Sequence, residues 1–453
     1  MDFSELIERQ RAYFQSGATR SYEARLHALR ELRRVLKQFE PRLYEALLKD
    51  LNKSEYEAYL MEVSIVLGEL KYFERHLKRW MKNRRVMPNI GFAPNKSYRN
   101  PEPCGVVLIV APWNYPINLS LMPLIGAIAA GNCAVVKCSA KCPHTGAVLA
   151  EMLASVFPDE HVAMVNASRA ECGDLLRQKW DYIFFTGSKG GGRQVMEAAA
   201  ENFIPVTLEL GGKNPVIVDP TADLKVAATR IAWGKCINAG QTCIAPDYLL
   251  IHESIRDAFV EEYAKALAKF FPGGDMSQMP VIVNDEHFNR LCGLLEGQNA
   301  VIGGGKYPDR RFIEPTVLKD VDPASPVMRE EIFGPILPMI PWTDLNRCID
   351  FIRSYDKPLA LYLFTKDKSI VRRIMNDCSF GGGCVNDVIL HLSATELAFG
   401  GVGASGIGQY HGRASFDTFT HYRSICERYT FPEQRMRHFP FTKGKLFFLR
   451  RVV

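Results

Sequence analysis

A cysteine set among small residues can act as a nucleophile, and Cys243 is one: the run Asn-Ala-Gly-Gln-Thr-Cys leaves room around its thiol. Glu209, closing an apolar stretch immediately before Gly211-Gly212, offers a carboxylate to act as a base. Each also has a plainer reading, since a cysteine in a large chain is ordinarily an inert buried thiol and reactivity is the exception. A third feature is the glycine-rich turn Phe-Thr-Gly-Ser-Lys-Gly-Gly-Gly, in which Gly187 to Gly192 stand between a strand-like run and a helix-like one. Exposed backbone N–H groups and the helix dipole could hold a phosphate there. It is not a Walker A loop, because Arg193-Gln194 stands where Lys-Ser or Lys-Thr is needed, and no Gly-x-Gly-x-x-Gly follows the first strand.

The elements that must position these residues read as α/β. Val106 to Val110 is an unbroken apolar run, followed by the turn Ala-Pro-Trp-Asn-Tyr-Pro and an apolar helix through Leu121 to Ala130. The pattern repeats with strands at Ala134 to Val136, Val162 to Val165 and Tyr182 to Phe185, each followed by a helical segment. Such alternation predicts a parallel sheet covered by helices, with ligands bound beyond the carboxyl ends of its strands. A second alternating region after Glu209 supplies strands at Val216 to Val218, Tyr248 to Ile251, Leu361 to Phe364 and near Cys384 to Asn386. Ahead of both lie helices: Leu26, Leu29, Leu32 and Leu36 recur at helical spacing behind Ser21, a good N-cap, and a second helical region spans Tyr56 to Trp80.

At 453 residues the chain exceeds one domain core, and 47% hydrophobic with 23% charged residues is the balance of an ordinary globular protein. A net charge of +6, scattered rather than clustered, argues against a nucleic-acid partner. Neither a secretory signal nor a run of ~20 apolar residues is apparent, so the chain reads as cytoplasmic. Its twelve cysteines are dispersed and read as reduced thiols, and the spacing of Cys133, Cys138 and Cys142 is not a zinc pattern, so no metal is expected.

Several of these segments together resemble the aldehyde dehydrogenase superfamily, most closely its class 3 branch. They are Ala111-Pro-Trp-Asn-Tyr-Pro, Phe185-Thr-Gly-Ser, Leu208-Glu-Leu-Gly-Gly-Lys, Gly240-Gln-Thr-Cys, Glu330-Glu-Ile-Phe-Gly-Pro and Phe399-Gly-Gly-Val-Gly, in that order along nearly the whole chain. The resemblance implies NAD(P)-dependent oxidation of aldehydes to carboxylic acids. Cys243 would form a thiohemiacetal and then a thioester, Asn114 and the Cys243 backbone N–H would stabilise the oxyanion, and Glu209 would activate water. It further implies that Lys137, Thr186, Gly187, Ser188, Gly192, Glu331, Phe333 and Trp113 hold NAD or NADP in a variant Rossmann arrangement, which accounts for the missing fingerprint. Tyr115, Leu119, Trp233, Ile237 and Ile244 would line an apolar tunnel suited to medium or long aliphatic, or aromatic, aldehydes.

The implied organisation is a cofactor-binding domain over 1–208, a catalytic domain over 209–399, and a bridging and oligomerisation segment with the tail over 400–453, assisted by residues near 88–99. A homodimer is expected, paired through Ser415 to Tyr429 and the 88–99 stretch. The aromatic and basic tail from Arg435 onward is expected to pack on its own subunit or a neighbour rather than on a membrane. One departure bears on the cofactor: where the family usually continues Lys-Pro-Ser-Glu, this chain has Lys137-Cys138-Ser139-Ala140, so a carboxylate that would repel a 2′-phosphate is absent. Two rival readings are an enzyme that passes the acyl group to coenzyme A and a binding protein that has kept the fold without turnover; Glu209 argues against the first, and intact Cys243 and Asn114 against the second.

Overall fold

Strand Val106–Val110 is apolar and buried at every position, so it must be covered on both faces. In the computed structural model, which describes residues 3–87, 95–167, 169–431, 433 and 435–452, it is central to a six-stranded sheet. The order is 406–407, 206–210, 182–187, 106–110, 133–137, 162–165, parallel except at the 406–407 edge. The chain winds outward from 106–110 in one direction and then, from 182–187, in the other. This places a topological switch point between those two strands, where open α/β sheets bind ligands. Register brings the carboxyl ends together: Val110 lies opposite both Lys137 and Phe185, and Thr186 opposite Glu209.

One face of this sheet is covered by helices Pro116–Ala130 and Pro143–Ala154, and an N-terminal helical layer packs on those helices in turn. Helix Tyr22–Leu51 starts at Ser21, whose hydroxyl accepts from the Ala24 N–H, and its Leu29, Leu32, Leu36, Leu43 and Leu47 are fully buried. Burial of each such side chain contributes roughly 1.5–3 kcal/mol before the cost of ordering it. The expected helical region from Tyr56 to Trp80 is broken by a π-helical turn at Tyr59–Val63, between Glu55–Ala58 and Ser64–Trp80.

A second sheet has seven strands in the order 299–302, 316–319, 336–342, 248–252, 215–218, 360–364, 382–385, antiparallel only at its 299–302 edge. The strands at 299–302, 316–319 and 336–342 went unread in the sequence. The first is exposed, and the third carries Pro338 and Pro341, so neither shows the apolar run or alternation that marks a strand. A third sheet, 84–86, 95–103 and 420–428, is antiparallel and leaves 420–428 as an edge strand. It takes in most of the segments expected to bridge subunits; residues 88–94 lie outside the described residues.

The boundary at 208/209 cuts strand Val206–Leu210, and 406–407 joins the first sheet rather than a separate bridging segment, because backbone pairing with Glu209 and Leu208 holds it there. The tail, expected to pack on its own subunit or a neighbour, is exposed on this chain: Phe439 is 81%, Phe441 67% and Phe447 58% exposed, and helix Lys443–Val452 projects its aromatic and basic side chains outward. Among the described residues, no helix is long and apolar enough to cross a membrane.

Candidate active site

Cys243 follows a tight turn that few sequences can make. Asn238, Ala239 and Gly240 all adopt positive φ, at 49°, 51° and 71°. For the two non-glycine residues this costs about 1–2 kcal/mol each, and at Gly240 a side chain would overlap the Gly334 carbonyl. Polar side chains hold the turn. Asn238 Nδ2 donates to the carbonyls of Asn114 (2.8 Å) and Gln241 (3.0 Å), while the Asn238 N–H donates to Glu57 at 2.7 Å. Burial raises the Glu57 carboxyl to about 7, partly countered by Lys53 and by that N–H.

After the turn, four successive carbonyls each accept a side-chain donor. Asn214 Nδ2 reaches Cys243 O (2.8 Å) and Ala245 O (3.1 Å), Tyr362 OH reaches Ile244 O (2.6 Å), and Lys235 Nζ reaches Pro246 O (2.8 Å). Desolvation lowers Lys235 to about 8 in its fully buried position. The nucleophile's backbone is thereby immobilised by residues from three other elements, which is what a reacting thiol needs to keep its geometry.

The thiol faces a cavity of about 330 Å³ at the switch point. Asn114, Glu209, Thr186, Gly187, Ser188, Glu331, Phe333, Trp113, Tyr115, Leu119 and Ile244 all line it, so residues spread from 113 to 333 converge on one space. Asn114 Nδ2 donates one hydrogen to Gln241 O at 3.0 Å, which leaves its second hydrogen for another acceptor. Both Glu209 oxygens are buried without a hydrogen-bond partner among the described residues, and desolvation raises the carboxyl well above its ordinary value. Protein encloses the Cys243 thiol closely enough that burial, then the Glu331 and Glu209 carboxylates, push it up; the N–H groups of Cys243 and Ile244 oppose this.

Glu331 Oε1 is also buried and unpartnered, burial raises this carboxyl to about 8, and a side chain on Gly211 would overlap it. Helix Lys189–Ala200 begins earlier than its expected start near Gly192, because Ser188 caps it by accepting from the Gly191 N–H at 3.2 Å. Its open first turn and the orphaned Glu331 oxygen suit a dinucleotide, the N–H groups for its phosphates and the carboxylate for ribose hydroxyls. The edge of Trp113 meets Phe333 at 5.4 Å between ring centroids, giving flat apolar walls near these groups.

Four expected residues lie elsewhere. Lys137 lines a separate cleft of about 650 Å³ with Ala140, Lys141 and Arg177. Gly192 lines neither space; its lack of a side chain lets the helix sit on Leu210, which a Cβ would approach to 2.7 Å. Trp233 lines an adjoining cavity of about 360 Å³ that shares Met61, Leu392 and His411 with the first. Ile237, at the end of helix Leu224–Cys236, is turned into the core and lines neither cavity. Missed by sequence reading were Asn214, Asn238, Gln241 and Tyr362, which hold the loop, and His287 and Arg290, which line the cavity. Only Asn238 and Gln241, polar residues inside the cysteine motif, carried a local signal.

The model of the aldehyde dehydrogenase family matches residues 1–425. The chain is 44% identical over 445 residues to 4,4'-diaponeurosporen-aldehyde dehydrogenase of Staphylococcus aureus, covering 97% of this chain and 96% of the relative. It is 46% identical over 429 residues to aldehyde dehydrogenase family 3 member B1 of Bos taurus, covering 94% and 92%. A solved structure of the substrate-bound state of Staphylococcus aureus AldH superposes with a TM-score of 0.96 at 43% identity, over 99% of this chain and 98% of the other.

The raised thiol has a measurable sign. Without cofactor, alkylation of Cys243 by iodoacetamide should climb with pH beyond 9, because burial favours the neutral thiol. Peptide-resolved mass spectrometry follows the site; a Cys243 profile that levels below pH 9 contradicts the burial argument.

Proposed function

The chain belongs to the aldehyde dehydrogenase family, and on that premise we propose that Cys243, Asn114 and Glu209 convert apolar aldehydes to carboxylic acids. The observation that carries this is the shared cavity, which holds a thiol, an amide with a spare hydrogen and a carboxylate with both oxygens uncommitted. Cys243 Sγ, once deprotonated, adds to the carbonyl carbon and moves the π electrons onto oxygen. The free Asn114 Nδ2 hydrogen and the Cys243 N–H then donate to that oxyanion; in other enzymes removing one such donor costs about 3–4 kcal/mol of transition-state stabilisation. NAD(P), when bound, supplies the acceptor for the hydride that leaves the thiohemiacetal, so that a thioester remains on Cys243. Glu209 takes a proton from water as it attacks the thioester, releasing the acid and restoring the thiol. This assignment favours hydrolysis over transfer to coenzyme A, because attack by a thiol has no need of the carboxylate.

For cofactor choice we propose that NADP is accepted alongside NAD. Ala140 stands in the 650 Å³ cleft beside Lys137, Lys141 and Arg177, a setting with three cations and Glu197 and Glu201 as its acids. For substrate class, the cavity's Tyr115, Leu119 and Ile244, continued past Met61 and Leu392 toward Trp233, support medium or long aliphatic and aromatic aldehydes. For assembly we propose a homodimer. Among the described residues, edge strand 420–428 has one side without a partner strand, and Ile425 and, just past its end, Tyr429 are exposed.

Three outcomes test these readings. Cys243→Ser should abolish formation of reduced cofactor from hexanal and benzaldehyde, while Glu209→Gln should retain a first-turnover burst and lose steady turnover by about 10²-fold or more; equal loss of burst and steady state would remove Glu209 from hydrolysis. Ala140→Glu should raise KM for NADP about tenfold, equivalent to ~1.4 kcal/mol of repulsion, with little change for NAD; no discrimination between the cofactors would show that position 140 does not read the 2′-phosphate. Light scattering coupled to gel filtration should give twice the 51.1 kDa chain mass at micromolar concentration; a monomer peak would refute the pairing.

A further inference from the structure

Lys53 and Glu62 form an ion pair with side chains that are completely buried, Nζ to Oε1 at 2.6 Å, and neither belongs to a motif tied to the chemistry. Removing two charges from water is costly unless every remaining valence is used. Here they are used on one target. Lys53 Nζ also donates to the Asn114 carbonyl at 3.0 Å and lies 4.3 Å from the Tyr115 ring centre. Glu62 Oε2 accepts from the N–H groups of Ile117 at 2.8 Å and Asn118 at 3.3 Å, in the first turn of helix Pro116–Ala130. That helix has no side-chain cap from its own N-cap residue, Tyr115, so Glu62 provides the acceptor and the negative charge that a helix N-terminus favours.

The pair therefore grips the short segment 114–118 at both ends, by the carbonyl of Asn114 and by the amides of residues 117 and 118. Between them the side chain of Asn114 is aimed at the cavity, its orientation completed by Gln241 O. Glu62 reaches this position from within the π-helical turn Tyr59–Val63, a local irregularity that recurs at functional sites. Asn118 Nδ2 donates back to Met61 O at 3.1 Å, which locks the turn to the helix it caps.

We infer that Lys53 and Glu62 are positioning residues for the oxyanion donor Asn114. The inference rests on the proposed role of Asn114 and adds that its aim is set by a buried charge pair in the N-terminal helical layer. Displacing the donor by a fraction of an ångström weakens a hydrogen bond that must form in the transition state, so the loss belongs in the chemical step rather than in cofactor binding.

The test is a double-mutant cycle on the full-length enzyme, reading the first-turnover rate of reduced-cofactor formation with saturating hexanal. Glu62→Gln keeps the shape and an acceptor oxygen but removes the charge, and should slow that rate about 10- to 100-fold. Cofactor affinity, from quenching of tryptophan fluorescence, and the rate of Cys243 alkylation should each stay within about twofold, as expected when only a transition-state interaction is weakened. In the Asn114→Ala background the same substitution should change the rate by less than about twofold, because its effect passes through the missing donor. Effects that multiply across the cycle, or a Glu62→Gln enzyme as fast as the parent, would overturn the inference. Should Glu62→Gln fail to fold, the double variant Lys53→Met/Glu62→Gln, which buries no lone charge, carries the same comparison. If Asn114→Ala alone leaves the rate unchanged, the reading of Asn114 as an oxyanion donor fails, an outcome distinct from multiplying effects.

Discussion

The left-handed turn at Asn238, Ala239 and Gly240 is the constraint around which this molecule is arranged. It delivers Cys243 to the switch point of a sheet to which that cysteine does not belong, and it stores backbone strain beside the reacting atom. Such a conformation persists only if its surroundings over-determine it. Glu57 from the N-terminal helical layer, Asn114 from the loop after strand 106–110, and the amide side chains of Asn238 and Gln241 all spend their hydrogen bonds on it. Asn214 and Tyr362 then hold the carbonyls that follow.

The same contacts join the N-terminal helices, the loop after strand 106–110 and the cysteine loop. Gln241 receives from Val283 N–H and donates to Val281 O, so the cysteine loop is tied to the segment ahead of helix Asp285–Leu294, and that helix contributes His287 and Arg290 to the cavity. Lys213 and Asp247 form a second buried pair at 2.6 Å, and Asp247 accepts from the Ile332 N–H, which fixes the backbone next to Glu331. Buried ion pairs are weak stabilisers in general, because desolvation offsets their attraction. Both pairs here hold backbone beside the cavity, so their value lies in geometry more than in net stability.

Burial at the site favours neutral forms. The Cys243 thiol and the Glu209 and Glu331 carboxyls are all raised chiefly by burial, and the two carboxylates make the thiolate harder to form. The deprotonated thiol and carboxylate that the chemistry uses therefore become more populated as pH rises.

Much of the architecture was legible in the sequence because its signals are local. The apolar runs at 106–110, 162–165 and 182–187 mark strands by their own composition, and the N-cap at Ser21 and the cysteine motif are read from adjacent residues. Tertiary structure alone decided the rest. Strands 316–319 and 336–342 acquire their identity from partners across the sheet, and the tail's exposure could not be foreseen from its apolar composition. Lys53 and Asn114 are 61 positions apart, and nothing around either names the other. Periodicity and motif spacing record what a residue's neighbours require, whereas a buried charge or a lone amide finds its partner only when folding brings distant segments together and leaves no water to take that partner's place.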